Sequence, residues 1–208
     1  IARGEECATF PARCMVVVAA NPCPCGNYHP SPVLSRCTCT EVARRQYRRK
    51  LEGPVMDRID ITRHVEPVPP HEARDPLAAP EPTRVVAARV AQARERQRRR
   101  YAGTPWRLNS EVPGAVLRES WALAPDERTV LDDQVFAGRL TRRGATRVHR
   151  LAWTVTDLRG LPQPGPAELD TALRLRTGEP LMLDQLAPRP GPTGAAAADA
   201  GRVAEQAR

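Results

Sequence analysis

Two closely spaced cysteine pairs restrict what this chain can fold into more than any other feature of its sequence. The pairs are Cys23-Pro24-Cys25 and Cys37-Thr38-Cys39, with eleven residues between them. Four thiolates can complete a tetrahedral shell, and zinc is the usual metal in such a structural site. Nearby Pro and Gly residues allow the tight turns that would point all four sulfurs inward. The pattern therefore predicts a structural zinc site.

The same cysteines allow two other interpretations, redox-active thiols and buried thiols without a metal. His29 lies inside the loop and could replace one of the four sulfurs. The disulfides of a secreted protein fit less well, because residues 1–6 carry no signal-peptide pattern. Cys7 and Cys14 fall on positions that we interpret as strands, where we expect small buried hydrophobes.

The segment before the first cysteine pair has the pattern of β-structure. We interpret residues 1–9 as the tip and second arm of a hairpin, with Gly4 at the turn. Residues 14–20 are apolar throughout and end at Asn21-Pro22, which is typical of a strand buried on both faces of a parallel sheet. Residues 59–65 are a second strand candidate.

Helical periodicity begins after the cysteine region. Thr40 can cap a helix over residues 41–51. A longer helix is expected from Thr83, with one apolar stripe and arginines on its other faces. The stripe contains Val86, Val90, Ala93 and Tyr101, and the arginines are Arg89, Arg94, Arg96, Arg98, Arg99 and Arg100.

Four further helices are expected in the rest of the chain. Three of them cover residues 113–120, 125–138 and 167–175. The clearest pattern lies between Thr141, a suitable helix cap, and Gly160, which suits a helix end. The apolar residues of this helix follow the i, i+3, i+4, i+7 spacing of a buried face: Val148, Leu151, Ala152, Val155 and Leu158.

Three polar positions could carry chemistry. Asn21 follows a predicted strand, where ligands bind in open α/β sheets, although an Asn before Pro is also a common turn former. Arg58 lies between Asp57 and Asp60 and could meet a phosphate or belong to a surface ion-pair cluster. Arginines also open the clearest helix, where they could contact an anion or form a solvated face: Arg142, Arg143 and Arg147.

The net charge permits nucleic acid as a partner without requiring it. The formal charge is +8, and Lys50 is the only lysine among the cations. Arginine suits phosphate recognition because its planar guanidinium donates two parallel hydrogen bonds. A GC-rich genome would explain the same excess of arginine.

Length, composition and the amino terminus bound the kind of protein. The chain has 208 residues, 41% of them hydrophobic, which suffices for one ordinary domain or slightly more. No apolar run approaches the roughly 18–20 residues that a membrane span requires, so we expect a cytoplasmic protein. The sequence begins at Ile1 rather than at Met, and we interpret this start as a truncation.

In order and spacing, these features resemble the magnesium-chelatase-like AAA+ ATPases of bacteria, the group that contains the competence-associated branch-migration helicase. The specific stretches are residues 10–26, Cys37-Thr38-Cys39 and residues 51–60, which includes Met56-Asp57-Arg58-Ile59-Asp60. The resemblance continues through residues 83–101 and 140–160, which look like the family's carboxy-terminal lid domain. It covers roughly residues 1–176.

The resemblance implies a fold and a domain order. Residues 1–66 would be an α/β remnant of the AAA+ core, with a hairpin, parallel-sheet strands and the four-cysteine insert. Residues 67–82 would be a proline-rich linker, residues 83–176 an all-α lid bundle, and residues 177–208 a disordered tail.

The resemblance also implies site roles. Asn21 resembles the sensor-one residue that positions water near the γ-phosphate. Arg58 resembles the arginine finger that acts on ATP of the neighbouring subunit, and Arg143 matches the sensor-two arginine that touches the nucleotide of its own subunit. Arg3 lies in a hairpin that points into the central channel of related ring helicases, which makes it a candidate for DNA contact.

Cofactors and partners follow from the same resemblance: ATP with Mg²⁺, a homo-oligomeric ring, expected to be a hexamer, and DNA. No Gly-x-x-x-x-Gly-Lys-Ser/Thr phosphate loop occurs in the sequence, so ATP and Mg²⁺ would be held by a missing amino-terminal half, and we expect no hydrolysis by this chain alone. Some relatives lack most of the cysteines, so zinc would not be essential to the ATPase chemistry.

Three functional hypotheses remain open at this point. The first is the carboxy-terminal fragment of an AAA+ ATPase that remodels DNA or drives branch migration. The second is a zinc-dependent module that binds nucleic acid or protein and has no ATPase activity. The third is a truncated reading frame whose product has no independent role.

Overall fold

The structure, a computed structural model, describes residues 2–10, 14–51, 55–66 and 81–181. It divides into two compact units, Ile1–Met56 and Asp57–Arg208, and each unit is described by itself. The boundary between these units follows Met56, whereas the sequence predicts a domain boundary after residue 66.

The first unit opens with the expected hairpin. Strand β1 (Ala2–Arg3) pairs antiparallel with β2 (Glu6–Cys7), with Ala2 opposite Cys7 and Arg3 opposite Glu6. Gly4 occupies the turn with a φ of 63°. This left-handed conformation is one that glycine adopts without steric cost, so the predicted turn position is confirmed.

The predicted buried strand over residues 14–20 is wrong. These residues form neither helix nor strand, and Met15 and Val17 are 89% and 81% exposed. A strand takes its hydrogen bonds from neighbouring strands, and the only sheet in the described ranges is the β1–β2 hairpin. For the same reason the strand predicted over residues 59–65 is absent. Cys7 and Cys14 are both exposed, which contradicts the expectation of buried thiols.

Helix α1 (Glu41–Leu51) has the predicted bounds. The side chain of Thr40 accepts a hydrogen bond from the backbone nitrogen of Ala43 at 3.2 Å, as expected of a cap. No residue of α1 is fully buried, and one side of the helix, with Ala43 and Tyr47, is half-buried.

The second unit consists of helices. They are α2 (Thr83–Arg100), α3 (Gly114–Ser120), α4 (Pro125–Phe136), α5 (Arg142–Arg159) and α6 (Pro166–Thr177). Short 3₁₀ turns cover Met56–Arg58 and Asn109–Glu111. Each helix lies within two residues of its predicted bounds, because its start and end signals are local.

Helix α5 is the centre of this unit. Thr141 accepts from the backbone nitrogen of Gly144 at 2.9 Å, and Gly160 ends the helix with a φ of 70°. One core lies between α5 and its neighbours α4 and α6; its buried members are Leu123, Leu131, Leu140, Val148, Leu151, Ala152, Leu169 and Ala172. Leu158, which the periodicity assigns to the buried face, is 43% exposed.

A second core lies on the other side of α5. It contains Tyr101, Val112, Leu117 and Trp153. Beside it, the buried carboxylate of Asp157 accepts from Arg100 Nη1 at 3.0 Å and from Asn109 Nδ2 at 3.0 Å. Arg100, which the sequence placed among the arginines outside the apolar stripe, therefore lies in a buried ion pair that joins α2 to α5.

The described part of the chain is thus mostly helical, with six helices and one two-stranded hairpin. The parallel-sheet remnant of an AAA+ core is not visible in it. The predicted linker and tail fall largely outside the described residues, and Thr177, assigned to the tail, is the last residue of α6. None of the described helices is both long and apolar enough to cross a bilayer.

Candidate functional site

The four paired cysteines lie together in the first unit. The Sγ atom of Cys23 is 3.3 Å from that of Cys25 and 3.6 Å from that of Cys37, and the Cys25 and Cys37 sulfurs are 3.7 Å apart. With Cys39 included, all four sulfurs lie within 4.8 Å of one another. The tight turns that the sequence suggested therefore bring both pairs to one point.

This thiol cluster fits a tetrahedral metal. Zinc–sulfur bonds of about 2.3 Å place neighbouring sulfurs about 3.8 Å apart, close to the spacing of the three measured pairs. His29 does not belong to the cluster; its Nδ1 accepts from the backbone nitrogen of Ser31 at 3.0 Å. The donor set is four sulfurs, which a soft divalent ion such as zinc prefers.

The protein alone does not favour four thiolates at this point. The pKa of Cys25 is lowered, first by a backbone hydrogen bond from Asn27 and then by the Cys23 side chain. Burial instead raises the pKa of Cys39. One sulfur is therefore stabilised as a thiolate and another as a neutral thiol, and a bound cation would make all four good ligands.

The other two site residues predicted in the first unit, Asn21 and Arg3, do not belong to the thiol cluster. Asn21 is exposed and does not end a strand; its Nδ2 lies 3.7 Å from where a Cβ on Gly26 would be. Arg3 lies on β1, next to the hairpin turn.

In the second unit, the residues around Arg58 are fixed to the helices. The carboxylate of Asp57 accepts from Thr141 Oγ1 at 3.1 Å and from Arg176 Nη2 at 3.2 Å. Arg147 forms an ion pair with Asp60, and Arg176 also donates to the backbone oxygen of Ile59. Both flanks of Arg58 are therefore anchored to the ends of α5 and α6.

Arg58 and Arg143 line the same open cavity, whose volume is about 1440 Å³. Arg143 Nη1 is 4.0 Å from Asp57 Oδ2, so an ion pair also joins the two segments directly. The cavity is lined by seven arginines from the second unit: Arg58, Arg118, Arg128, Arg142, Arg143, Arg147 and Arg150.

The cavity has a strong excess of positive charge. Its lining contains one acidic residue, Asp132, which lies 3.9 Å from Arg128. Another wall is apolar and includes Leu123, Leu131 and Val135, with Phe136 91% exposed at its edge. Clustered guanidinium groups beside an apolar wall suit an anion that carries an apolar group.

His149 also lines this cavity and is buried. Its Nε2 is 2.9 Å from the backbone oxygen of Trp121, to which it donates as a neutral ring. Burial, together with the nearby charges of Arg118 and Arg150, lowers the pKa of His149 to about 4. The histidine is therefore neutral at physiological pH and adds no charge to the arginines.

Sequence reasoning identified Arg58, Arg142, Arg143 and Arg147 but missed part of the cavity. Arg118 and Arg128 lie on short helices whose sequence patterns predict a helix but do not indicate a binding role for either arginine. Arg176 lies far along the chain from Asp57, and no local pattern connects them. Arg176 reaches Asp57 because α6 packs against α5.

Comparison with known proteins gives two family matches. Residues 1–73 match the family described as magnesium chelatase, subunit ChlI, and residues 80–176 match magnesium chelatase, subunit ChlI C-terminal.

Several bacterial proteins are similar to the chain. An uncharacterized protein of Mycobacterium tuberculosis is 36% identical over 85% of this chain and 34% of its own length. The uncharacterized protein YifB of Salmonella typhimurium is 28% identical over 88% of this chain and 35% of its own. Competence protein ComM of Haemophilus influenzae is 27% identical over 85% of this chain and 33% of its own. The chain thus spans about a third of the length of these relatives.

Proposed function

The chain belongs to the magnesium-chelatase-like family of subunit ChlI, whose members have an AAA+ ATPase-like function, and on that premise we propose that it completes an ATP site with Arg58 and Arg143. The observation that carries the proposal is the cavity that both arginines line, with its excess of positive charge. The phosphate loop, which this sequence does not contain, would come from another segment or subunit.

The shared cavity also bears on which nucleotide each arginine serves. A finger for the neighbouring subunit's ATP and a sensor for the subunit's own ATP would be expected to face different spaces. Because Arg58 and Arg143 face one space and Asp57 lies beside both, we propose that they act on the same nucleotide, held by the neighbouring subunit of a ring.

The role of each group follows from its charge. ATP with Mg²⁺ supplies the transferable phosphoryl group when bound. The guanidinium of Arg58 would neutralise charge that develops on the γ-phosphate oxygens, as an arginine finger does. Arg143, at the start of α5, would hold a neighbouring phosphate oxygen, where the helix amino terminus adds a positive field.

The test uses a chimera in which this chain replaces the matched third of the Mycobacterium tuberculosis relative. We expect Arg58→Ala to lower ATP turnover by about 10³-fold or more while nucleotide binding persists. Arg139→Ala is the matched control, because Arg139 is exposed, lies outside the cavity and contacts Gln134. Turnover that is equal in the Arg58 and Arg139 variants would remove Arg58 from the finger role.

We further propose that the thiol cluster holds zinc. Cys23, Cys25, Cys37 and Cys39 would be the ligands, and the metal would act as a structural cross-link. The closeness of the four sulfurs supports this proposal. The zinc would carry no step of ATP hydrolysis.

The remaining proposals concern water and DNA. Asn21 would position water near the γ-phosphate, and Arg3 would contact DNA phosphates from the hairpin in a hexameric ring. DNA remodelling would be the work that ATP drives.

The role of Arg3 is tested by the salt dependence of DNA binding. Contacts to phosphates make DNA affinity fall steeply as the salt concentration rises, and Arg3→Gln should make this dependence less steep. An unchanged slope would contradict the role of Arg3.

The alternative is a zinc-dependent module that binds nucleic acid or protein without ATPase activity. It is favoured by the thiol cluster, which forms within the first unit from a short run of sequence. The chimera distinguishes the two functions. An ATPase should keep its ATP turnover when the four cysteines are substituted. A binding module should lose its partner when zinc is removed.

A further inference from the structure

Arg44 on α1 touches the thiol cluster from outside. Its Nη1 is 3.8 Å from Cys37 Sγ and donates to the backbone oxygen of Cys39 at 3.2 Å. Its other terminal nitrogen pairs with Glu41, and the guanidinium lies 5.0 Å from the centre of the Tyr28 ring. Arg44 is thus the side chain of α1 that reaches both the second cysteine pair and the loop between the pairs.

The charge of the site favours this contact. Four thiolates and one zinc ion leave a net charge of two negative units. A guanidinium beside such a centre offsets part of that charge, and its hydrogen bond to sulfur fixes the direction of the ligand. The amino terminus of α1 begins two residues after Cys39, so the positive end of the helix lies near the same ligand.

The other interactions described for helix α1 are the Thr40 cap and the ion pairs of Glu41 with Arg44 and Arg48. It has 11 residues, and none is fully buried. Isolated helices of fewer than about 12–15 residues are only marginally stable in water. Arg45, Arg48 and Arg49 are also spaced three and four apart, where like charges repel and destabilise a helix.

We propose that Arg44 is a positioning residue of the metal site and that metal binding orders α1 through it. The inference rests on the proposed zinc site. In the metal-loaded protein, Arg44 holds the Cys37 ligand and the Cys39 backbone in place. Through the same contacts, the metal-loaded cluster stabilises the first turns of α1.

The experiment compares the chain with Arg44→Gln and with Arg45→Gln, an exposed neighbour on the same helix. Zinc affinity is measured by competition with a chromophoric chelator, and amide hydrogen exchange of residues 41–51 is measured with and without Zn²⁺. We expect zinc to slow exchange in α1 about tenfold or more in the unsubstituted chain and in Arg45→Gln. Arg44→Gln should lose most of this protection and bind zinc about 10–100-fold more weakly.

The outcomes separate this inference from the zinc proposal. If the unsubstituted chain binds no zinc, both fail. If zinc binds but Arg44→Gln keeps the same affinity and the same protection of α1, the inference about Arg44 alone is overturned. Exchange in α5, measured in the same samples, shows whether the second unit stays folded, so a general loss of structure is not mistaken for the expected local change.

Discussion

Arg176 Nη2 lies 3.2 Å from Asp57 Oδ1 and joins the last turn of α6 to the residue that precedes Arg58. The side chain of Arg176 is 10% exposed, and its other terminal nitrogen donates to the backbone oxygen of Ile59. One arginine therefore holds the backbone on both sides of Arg58. The position of the proposed finger depends on a residue that does not line the cavity.

Arg176→Gln should loosen residues 57–62 without unfolding the helices. Because the substitution removes the ion pair to Asp57 and the bond to Ile59, we expect faster amide exchange in this segment. In the ATPase chimera, turnover should fall while nucleotide affinity changes little. Arg174→Gln is the control, since Arg174 pairs with Asp170 on the same helix. Equal exchange in the two variants would contradict the anchoring role.

Asp157→Asn should destabilise the second unit by about 3–5 kcal/mol, because it leaves the buried guanidinium of Arg100 without its counter-charge. Urea unfolding followed by tryptophan fluorescence measures the change. Glu95→Gln breaks exposed ion pairs with Arg98 and Arg99 and should cost at most about 1 kcal/mol. A similar small cost for both substitutions would show that the Asp157 pair is not a buried anchor.

His149 should make the second unit less stable in acid. Its pKa is lowered from 6.5 to about 4 in the folded protein, so between these pH values the unfolded chain binds a proton that the folded chain does not. Stability from this group therefore rises with pH through that window, by about 3 kcal/mol at most.

The comparison of pH 4.5 with pH 7 in urea unfolding isolates this effect. His149→Gln can still donate to Trp121 and should show a smaller loss of stability in acid than the unsubstituted chain. His64→Gln removes an exposed histidine and should leave the loss unchanged. If His149→Gln loses as much stability in acid as the unsubstituted chain, the neutral buried histidine is not the cause.

Metal analysis should find about one zinc per chain, removable by a strong chelator. Cys37→Ser replaces one ligand of the thiol cluster and should reduce retention after dialysis to well below half. Cys7→Ser, a change of an exposed thiol outside the cluster, should not. Equal zinc content in both variants, or four freely titratable thiols in the untreated chain, would argue against the site.

Local signals made the helices and the thiol cluster predictable. Thr141 and Gly160 specify the ends of α5 through interactions within four residues, and the cysteine pairs need only tight turns to meet. Residues 14–20 failed as a strand because a strand's hydrogen bonds come from elsewhere in a sheet. The apolar pattern indicates that the segment is suited to a buried strand, but it does not supply the neighbouring strand that would pair with it.

The cavity was predictable only in part, for the same physical reason. Arg58 and Arg143 were found through motifs, but their shared space depends on Asp57 meeting Thr141 and Arg176 across the bundle. Arg100 was grouped with the other arginines of α2 because helical periodicity does not show which arginine meets a buried acid. Long-range ion pairs carry no signature in a single sequence.

The exposed run over residues 14–20 has a practical consequence for the isolated chain. It contains seven residues without charge or proline, three of them consecutive valines, and such segments assemble readily into intermolecular β-sheets. Without a covering strand, the chain should self-associate as its concentration rises, and charged substitutions at Val16 or Val18 should improve its solubility. Among the residues that the structure describes, the stretch that most resembles a core strand is therefore also an aggregation hazard.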